Sequence, residues 1–248
     1  MAAPLPRIRI GISACLLGDE VRYDGGHKRD PFLTDVLGPL VEWVKVCPEV
    51  EIGMGTPREP IRLTNADGRI RLMTVKTGVD YTDAMTAYAA RRTDALADAG
   101  LCGYVLKKDS PSCGMTRVKV YGGRGRTSRT GVGVFAAALL ARFPHLPVEE
   151  EGRLADPHVR ENFIERVFAY RRLRDFFESP WTAGDLVAFH TAHKPVLLAH
   201  SARASARLDK LVAGAKSIDR EAVRARYTAG CMEALAVLAA PRRRANHV

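Results

Sequence analysis

Residues 8–15 read I-R-I-G-I-S-A-C, and residues 41–47 read V-E-W-V-K-V-C. Each segment is a short run of apolar side chains separated by small or polar ones, which is typical of a β-strand, and a cysteine follows each run. Val105 marks a third strand, and residues 72–75 form a fourth after the turn sequence N-A-D-G. These segments predict a sheet whose strand ends carry cysteines.

Helical patterns lie between and after these strands. The spacing of apolar residues predicts one helix over residues 82–99, with Thr82 as its N-cap, and a second over residues 133–143. Because strands alternate with helices, we expect an α/β fold with a mainly parallel, Rossmann-like sheet and flanking helices.

The pattern changes after residue 144. Residues 144–157 contain prolines, a glycine and three consecutive glutamates, which favour a linker. Beyond it only helices are predicted: Asp156 caps one, Thr182 and Asp185 form a capping box for the next, and two more follow. We therefore expect an α/β domain over residues 1–148 and a small all-α domain over residues 149–248.

The amino-acid composition favours a globular protein without a membrane span or disulfides. The chain has 248 residues, 46% hydrophobic and 27% charged, which is ordinary for a globular protein. It has neither an apolar run of the roughly 20 residues that a membrane span needs nor an apolar export signal, so we expect a cytoplasmic protein. Five cysteines in that setting indicate free thiols or ligands rather than disulfides.

The formal net charge is +10. Residues 1–148 hold 21 Lys and Arg against 15 Asp and Glu, and residues 149–248 hold 17 against 13. A basic excess in both halves favours a nucleic-acid partner. Arginine-rich solvated surfaces are the alternative explanation.

The cysteines fall into two groups. Cys15, Cys47 and Cys113 each follow a strand and stand among Gly, Pro or Ser, whereas Cys102 and Cys231 lie in apolar segments typical of packed thiols. The carboxyl ends of strands are where α/β proteins build sites, so three thiolates there predict a metal centre. Spacings of 32 and 66 residues disfavour a zinc finger and leave free cysteines or a catalytic thiol as alternatives.

Four motifs in order identify a resemblance that covers residues 7–148. They read S-A-C-L-L-G, R-Y-D-G-G-H-K, C-P-E-V-E-I-G-M-G-T-P-R-E-P-I-R-L and K-K-D-S-P-S-C-G, and together they resemble the thiouracil desulfidase family. The second half, with R-E-N-F-I-E-R-V-F-A-Y and F-H-T-A-H-K-P-V-L-L-A-H-S, resembles the helical domain often fused to it. That fused form is similar to bacterial desulfidases that remove sulfur from 4-thiouridine in tRNA. Relatives of the fused form generally continue further, so we expect a shortened helical domain.

The resemblance implies an oxygen-sensitive 4Fe–4S cluster held by Cys15, Cys47 and Cys113. It also implies an essential glutamate at Glu49 and a functional serine at Ser110. Without the resemblance, Glu49 reads as a solvated carboxylate and Ser110 as a turn residue.

Three protein ligands leave one iron open for a thiocarbonyl sulfur, which is a soft ligand. We expect non-redox hydrolysis: Glu49 takes a proton from the water that attacks the ring carbon, and Ser110 orients the base or relays a proton. The products are uridine and hydrogen sulfide.

Basic residues near these motifs are candidates for contacts with the thiolated pyrimidine base or with tRNA. The set consists of Lys28, Arg58, Arg62, Lys107, Arg124 and Arg126. The glycine-rich loop 117–129 joins basic side chains to Tyr121, which is available for stacking on a base. A solvated hairpin tip is the alternative there. Further basic candidates are Arg160, Arg171, Arg172, Arg174 and Arg242 to Arg244.

Three histidines need a separate interpretation. His190, His193 and His200 stand at spacings that mimic a metal site, but we expect packing or RNA contacts because Pro195 interrupts the helix and no carboxylate joins them at ligand spacing.

Three other functions stay open. The chain is alternatively a desulfidase of free thiouracil or thiouridine nucleotides, or a non-catalytic iron–sulfur RNA-binding module. A sulfur-inserting thiolase is disfavoured because the sequence lacks a G-x-x-x-x-G-K-[ST] phosphate loop.

Overall fold

The computed structural model describes residues 8–66 and 68–239. The chain forms two compact units. The first unit runs to Pro144 and also takes in Val148–Ala155, and the second contains His145–Pro147 and the chain from Asp156 onward.

The first sheet of the first unit is parallel. Its strands are β1 (Ile8–Ser13), β2 (Val41–Val46), β5 (Leu101–Leu106) and β8 (Val148–Glu150), in the order β2-β1-β5-β8. Every residue of β5 is buried, as expected for a central strand covered on both faces. The helices α2 (Thr82–Ala97) and α3 (Val134–Arg142) flank this unit, and the α/β prediction is confirmed.

Gly11 allows close packing at the centre of this sheet. It lies opposite Tyr104 in the β1–β5 register, and a Cβ atom at position 11 would stand 2.2 Å from Cδ2 of Tyr104. Only glycine leaves room for that buried ring.

A second, mixed sheet was not anticipated from the sequence. It contains β3 (Ile61–Ala66), β4 (Arg69–Thr74), β6 (Val118–Tyr121) and β7 (Thr127–Gly131), in the order β4-β3-β6-β7. The β3–β4 and β6–β7 pairs are antiparallel hairpins, and β3 pairs with β6 in parallel. The strand expected at residues 72–75 is therefore the second arm of a hairpin.

Two local expectations are wrong. Tyr81, not Thr82, is the N-cap of α2; Oγ1 of Thr82 instead accepts a hydrogen bond from the Leu72 amide at 2.8 Å. The linker interpretation of residues 144–157 fails because Val148–Glu150 form the edge strand β8, in which Glu149 and Glu150 are buried.

The second unit is helical. Its helices are α4 (Pro157–Glu178), α5 (Ala183–His200), α6 (Ala202–Ala213) and α7 (Arg220–Ala236). The predicted caps are confirmed: Asp156 accepts from the His158 amide, and Thr182 and Asp185 form the capping box of α5. No helix in the described part of the chain is both long enough and apolar enough to cross a bilayer.

The histidines of the second unit make separate contacts. Nδ1 of His190 forms a hydrogen bond with the Tyr227 hydroxyl at 3.0 Å, and its Nε2 forms one with Oδ1 of Asp209 at 2.8 Å. Nε2 of His200 forms a hydrogen bond with Oε2 of Glu165 at 2.8 Å. The packing interpretation is confirmed for His190 and His200, which are buried. One detail is wrong, since α5 continues through Pro195. The carboxylates that contact His190 and His200 come from positions 19 and 35 residues away in the sequence.

Candidate active site

The three strand-end cysteines line one cavity of the first unit. β2, β1 and β5 are adjacent and parallel, so the segments that follow them meet at one edge of the sheet. A cavity of about 380 Å³ lies there, lined by Cys15, Cys47 and Cys113 together with Glu49 and Ser110. The structure therefore brings together the five residues that the resemblance selects.

Cys15 lies in a single 3₁₀ turn directly after β1. The pKa of its thiol is raised to about 11, mainly by burial and also by the neighbouring Cys47, while the positive charges of Lys107 and Arg22 act in the opposite direction. Its carbonyl accepts a hydrogen bond from the Lys28 amide at 2.9 Å, which ties the loop after β1 to the cavity.

Cys47 precedes the short helix α1 (Pro48–Glu51). Its amide donates to Oε1 of Glu51 at 3.0 Å, and its Sγ lies 3.8 Å from the Val21 carbonyl oxygen. Burial raises the pKa of its thiol, while hydrogen bonding to the Val50 amide lowers it.

Cys113 lies in the loop that follows β5, and the start of α3 holds that loop. The Gly133 amide donates to the Gly114 carbonyl at 2.8 Å, and a Cβ atom at position 133 would stand 2.5 Å from the Ser112 carbonyl. Burial raises the pKa of the Cys113 thiol, the Glu49 charge adds to this, and a hydrogen bond with Ser13 opposes it.

Glu49 is held by two partners. Arg58 donates to its Oε2 from two guanidinium nitrogens, at 2.5 and 3.0 Å, and the Ser112 hydroxyl donates to its Oε1 at 2.6 Å. The Arg58 side chain is 5% exposed and that of Glu49 is 15% exposed. Glu49 is therefore a fixed carboxylate in the cavity, and its interpretation as a solvated surface group is wrong.

Ser110 is joined to Glu49 through Ser112. The hydroxyl oxygens of Ser110 and Ser112 lie 2.9 Å apart, and the Ser110 oxygen also accepts a hydrogen bond from the Cys113 amide at 3.1 Å. Sequence reasoning missed Ser112, which is fully buried, and Ser13. The signal for both is that each stands within two residues of a candidate ligand cysteine, in S-A-C and in S-P-S-C.

The remaining candidate basic residues divide between two places. Lys28, Arg58 and Lys107 line the cavity. Arg62 and Arg126 line a separate cleft on the second sheet, and the side chain of Arg124 lies outside what the structure describes.

The glutamates of the supposed linker support the site. Glu151 forms an ion pair with Lys107 and accepts from the Lys108 amide at 2.7 Å. Glu150 accepts from the Met115 amide at 2.7 Å. The edge strand β8 thus fixes both ends of the loop that carries Ser110 and Cys113.

The basic candidates of the second unit are largely paired. Arg171 contacts Asp175 at 2.6 Å and Arg174 lies 3.6 Å from Glu178, whereas Arg242 to Arg244 fall outside the described residues. These pairs reduce the positive charge that α4 offers to a polyanion.

The donor set of the cavity is made of thiols. Among the described residues, no three His, Cys, Asp or Glu side chains converge in the manner of a site for a single metal ion. A cluster of several irons and sulfides is a larger body than one ion, so its thiolate ligands stand further apart. Three soft donors around a cavity of this size fit such a group in donor chemistry.

Comparison with known proteins finds one family model, one related protein and one solved structure similar to this chain. A family model described as 2-thiouracil desulfurase matches residues 10–151. The uncharacterized protein YbbK of Bacillus subtilis (strain 168) is 31% identical over 134 residues, which cover 52% of this chain and 87% of that protein. A solved structure of a 4Fe–4S-dependent thiouracil desulfidase, TudS, is 34% identical, with a TM-score of 0.49 and coverage of 60% of this chain and 94% of that one.

The segment matched by the family model covers more than half of the chain and contains all the described residues that line the cavity. It begins in β1 and ends at Glu151, the partner of Lys107. The resemblance that the four motifs carry is thereby confirmed, and the chain belongs to the 2-thiouracil desulfurase family.

Proposed function

We propose that this protein is an iron–sulfur-dependent desulfidase that converts 4-thiouridine in tRNA to uridine and hydrogen sulfide. The observation that carries the proposal is the meeting of three cysteine thiols with a fixed carboxylate, Glu49, in one cavity. Thiols alone would suit a binding module, but a carboxylate held beside them is the group that hydrolysis requires.

Cys15, Cys47 and Cys113 are the residues that would hold the cluster. Burial disfavours the thiolate form of all three, and coordination to iron supplies the positive charge that offsets this cost. Three ligands for a 4Fe–4S group leave one iron without a protein ligand. When bound, that iron supplies a soft Lewis acid for the thiocarbonyl sulfur and makes sulfide a better leaving group.

The other residues of the cavity handle the water and its protons. Glu49 takes a proton from the water that attacks the ring carbon, and Arg58 holds the carboxylate in place for this step. The carbon–sulfur bond breaks as the carbon–oxygen bond forms. One water is consumed and one hydrogen sulfide released, so the reaction needs no electron donor or acceptor.

A free thiobase is the second candidate substrate. The description of the family names 2-thiouracil, and the described residues that line the cavity all lie in the first unit. A net charge of +10 distributed over both halves supports tRNA instead.

Anaerobic reconstitution with iron and sulfide, followed by incubation with thiolated tRNA and with free 4-thiouracil, tests the proposal. We expect thiobase absorbance to disappear with stoichiometric release of sulfide, faster for tRNA. Cys113→Ala should lose activity, whereas Cys102→Ala, which removes a buried thiol outside the cavity, should keep it. Turnover of the free base alone would select the second candidate, and turnover of neither substrate would reject a desulfidase.

A further inference from the structure

The second sheet presents a polar face opposite its core face. Leu63 and Val120 are paired in the β3–β6 register and are buried, so they define the core face. Arg62 and Thr64 alternate with Leu63, and Tyr121 is paired with Thr64. Because side chains alternate along a strand, these three residues lie on the opposite face.

A cleft of about 400 Å³ opens on this polar face. Its walls are the β3 residues Arg62, Thr64 and Asn65 and the glycine-rich hairpin from Tyr121 to Arg126. The described residues that line it include two arginines and no carboxylate. Its charge is therefore suited to an anion.

One donor atom of Arg62 lacks an acceptor among the described residues. Its Nε is buried and has no hydrogen-bond partner within the described chain, while its guanidinium lies 5.1 Å from the centroid of the Tyr121 ring. Lys119 also stands 5.1 Å from that centroid, so a second positive charge lies at the same ring. A buried donor nitrogen without an acceptor is costly, and an anion in the cleft offers it an acceptor.

Arginines elsewhere in the first unit show a contrast. Arg71 contacts Asp80 at 2.8 Å and Arg129 contacts Asp109 at 3.1 Å. Within residues 8–66 and 68–239, neither Arg62 nor Arg126 forms such a pair. The described carboxylates therefore leave the positive charge of this cleft unneutralised.

We propose that this cleft binds a phosphate group of a polynucleotide backbone. Arginine donors suit the phosphate oxygens, and the absence of side chains at Gly122, Gly123 and Gly125 allows a polynucleotide chain to approach the backbone closely. Ile61 lines the cavity and the next residue, Arg62, lines the cleft, so the two adjoin at the start of β3. The identification of the polynucleotide as tRNA rests on the proposed function, whereas phosphate binding does not.

The proposed phosphate site is tested by measuring how tightly an unmodified tRNA transcript binds the full chain. Fluorescence anisotropy gives the affinity at each concentration of a salt series. The transcript carries no thiobase, so the result is independent of desulfidation. We expect the double variant Arg62→Met/Arg126→Gln to bind about tenfold more weakly, with a shallower dependence of affinity on salt, because one or two phosphate contacts are lost. Arg91→Gln, which removes an exposed arginine of α2, is the matched control and should bind like the wild type.

Four further outcomes bear on the cleft or on the desulfidase. Arg126→Gln alone changes an exposed residue, so a loss of about threefold in that variant supports the cleft even where the double variant fails to fold. Unchanged affinity and salt dependence in a folded double variant would overturn the proposal. Displacement of the transcript by equimolar uridine monophosphate would assign the cleft to a free nucleotide instead. Normal tRNA binding without release of sulfide would reject only the desulfidase activity.

Discussion

The Ser112 hydroxyl lies 2.6 Å from Oε1 of Glu49 and connects that carboxylate to Ser110, whose hydroxyl oxygen is 2.9 Å away. The Ser110 oxygen accepts from backbone amides, which leaves its own proton free to point towards Ser112 or a substrate. The three side chains form a continuous path along which a proton can pass between Ser110 and Glu49.

Glu49→Gln should retain the cluster and lose turnover, because the amide keeps the shape of the side chain but cannot take a proton. We expect the rate to fall by about 10²-fold or more. Cluster absorbance and sulfide release, measured on the same anaerobic sample, separate loading from catalysis. Glu42→Gln, which changes an exposed carboxylate of β2 paired with Arg9, is the control and should remain active. A fully active Glu49→Gln enzyme would remove the base role from Glu49.

Ser112→Ala should slow turnover while iron content stays unchanged, because it interrupts the path between Ser110 and Glu49. A decrease of about tenfold is expected, at the low end for loss of a proton-transfer step. Ser112→Thr keeps the hydroxyl and should recover part of the rate. Equal rates for the alanine and threonine variants would show that the hydroxyl contributes only packing.

Arg58→Met should destabilise the first unit, because it leaves the Glu49 carboxylate without its cation in a largely buried position. Breaking a buried ion pair from one side costs about 3 kcal/mol. The double variant Arg58→Met/Glu49→Met removes both charges and should recover much of this loss in urea unfolding. If the double variant is less stable than Arg58→Met alone, the pair is not what stabilises this region.

The sequence predicted the parallel sheet and its cysteines because both depend on local patterns. The apolar runs at β1 and β2 are typical of strands, and a cysteine within two residues of the end of each strand must lie at the carboxyl edge of a parallel sheet. Glu49 and Ser110 were selected through the motifs, and the cavity that unites them supports that selection.

What the sequence did not reveal depends on long-range contacts. The β8 strand is three residues long and its glutamates read as a linker, because the partners of Glu150 and Glu151 lie about 35 to 44 residues away. The Arg58–Glu49 pair and the role of Ser112 are likewise properties of the folded cavity. No local periodicity distinguishes such residues from solvated ones.

Gly133→Ala should impair cluster binding at Cys113 more than it impairs folding. The added methyl group would stand 2.5 Å from the Ser112 carbonyl, so the loop that carries Cys113 must shift. We expect substoichiometric iron after reconstitution and a lower melting temperature. Gly184→Ala in α5 meets no atom closer than 3.6 Å and should load normally. Full iron content in Gly133→Ala would show that the loop tolerates the displacement.

Asp209 should make the second unit sensitive to acid. Its hydrogen bonds from Lys194 and then His190 lower the pKa of the carboxyl below its usual value, so the folded state holds this proton less tightly than the unfolded state does. The stabilisation is complete above the usual aspartate pKa of about 3.9 and is lost as the pH falls through the lower folded pKa. Asp209→Asn should therefore reduce stability near neutral pH and flatten its decline below about pH 4, measured by urea unfolding at several pH values. Glu233→Gln, at an exposed carboxylate 3.5 Å from Arg207, should follow the wild-type curve. If the free energy of unfolding of Asp209→Asn falls with pH as steeply as that of the wild type, other carboxylates cause the acid sensitivity.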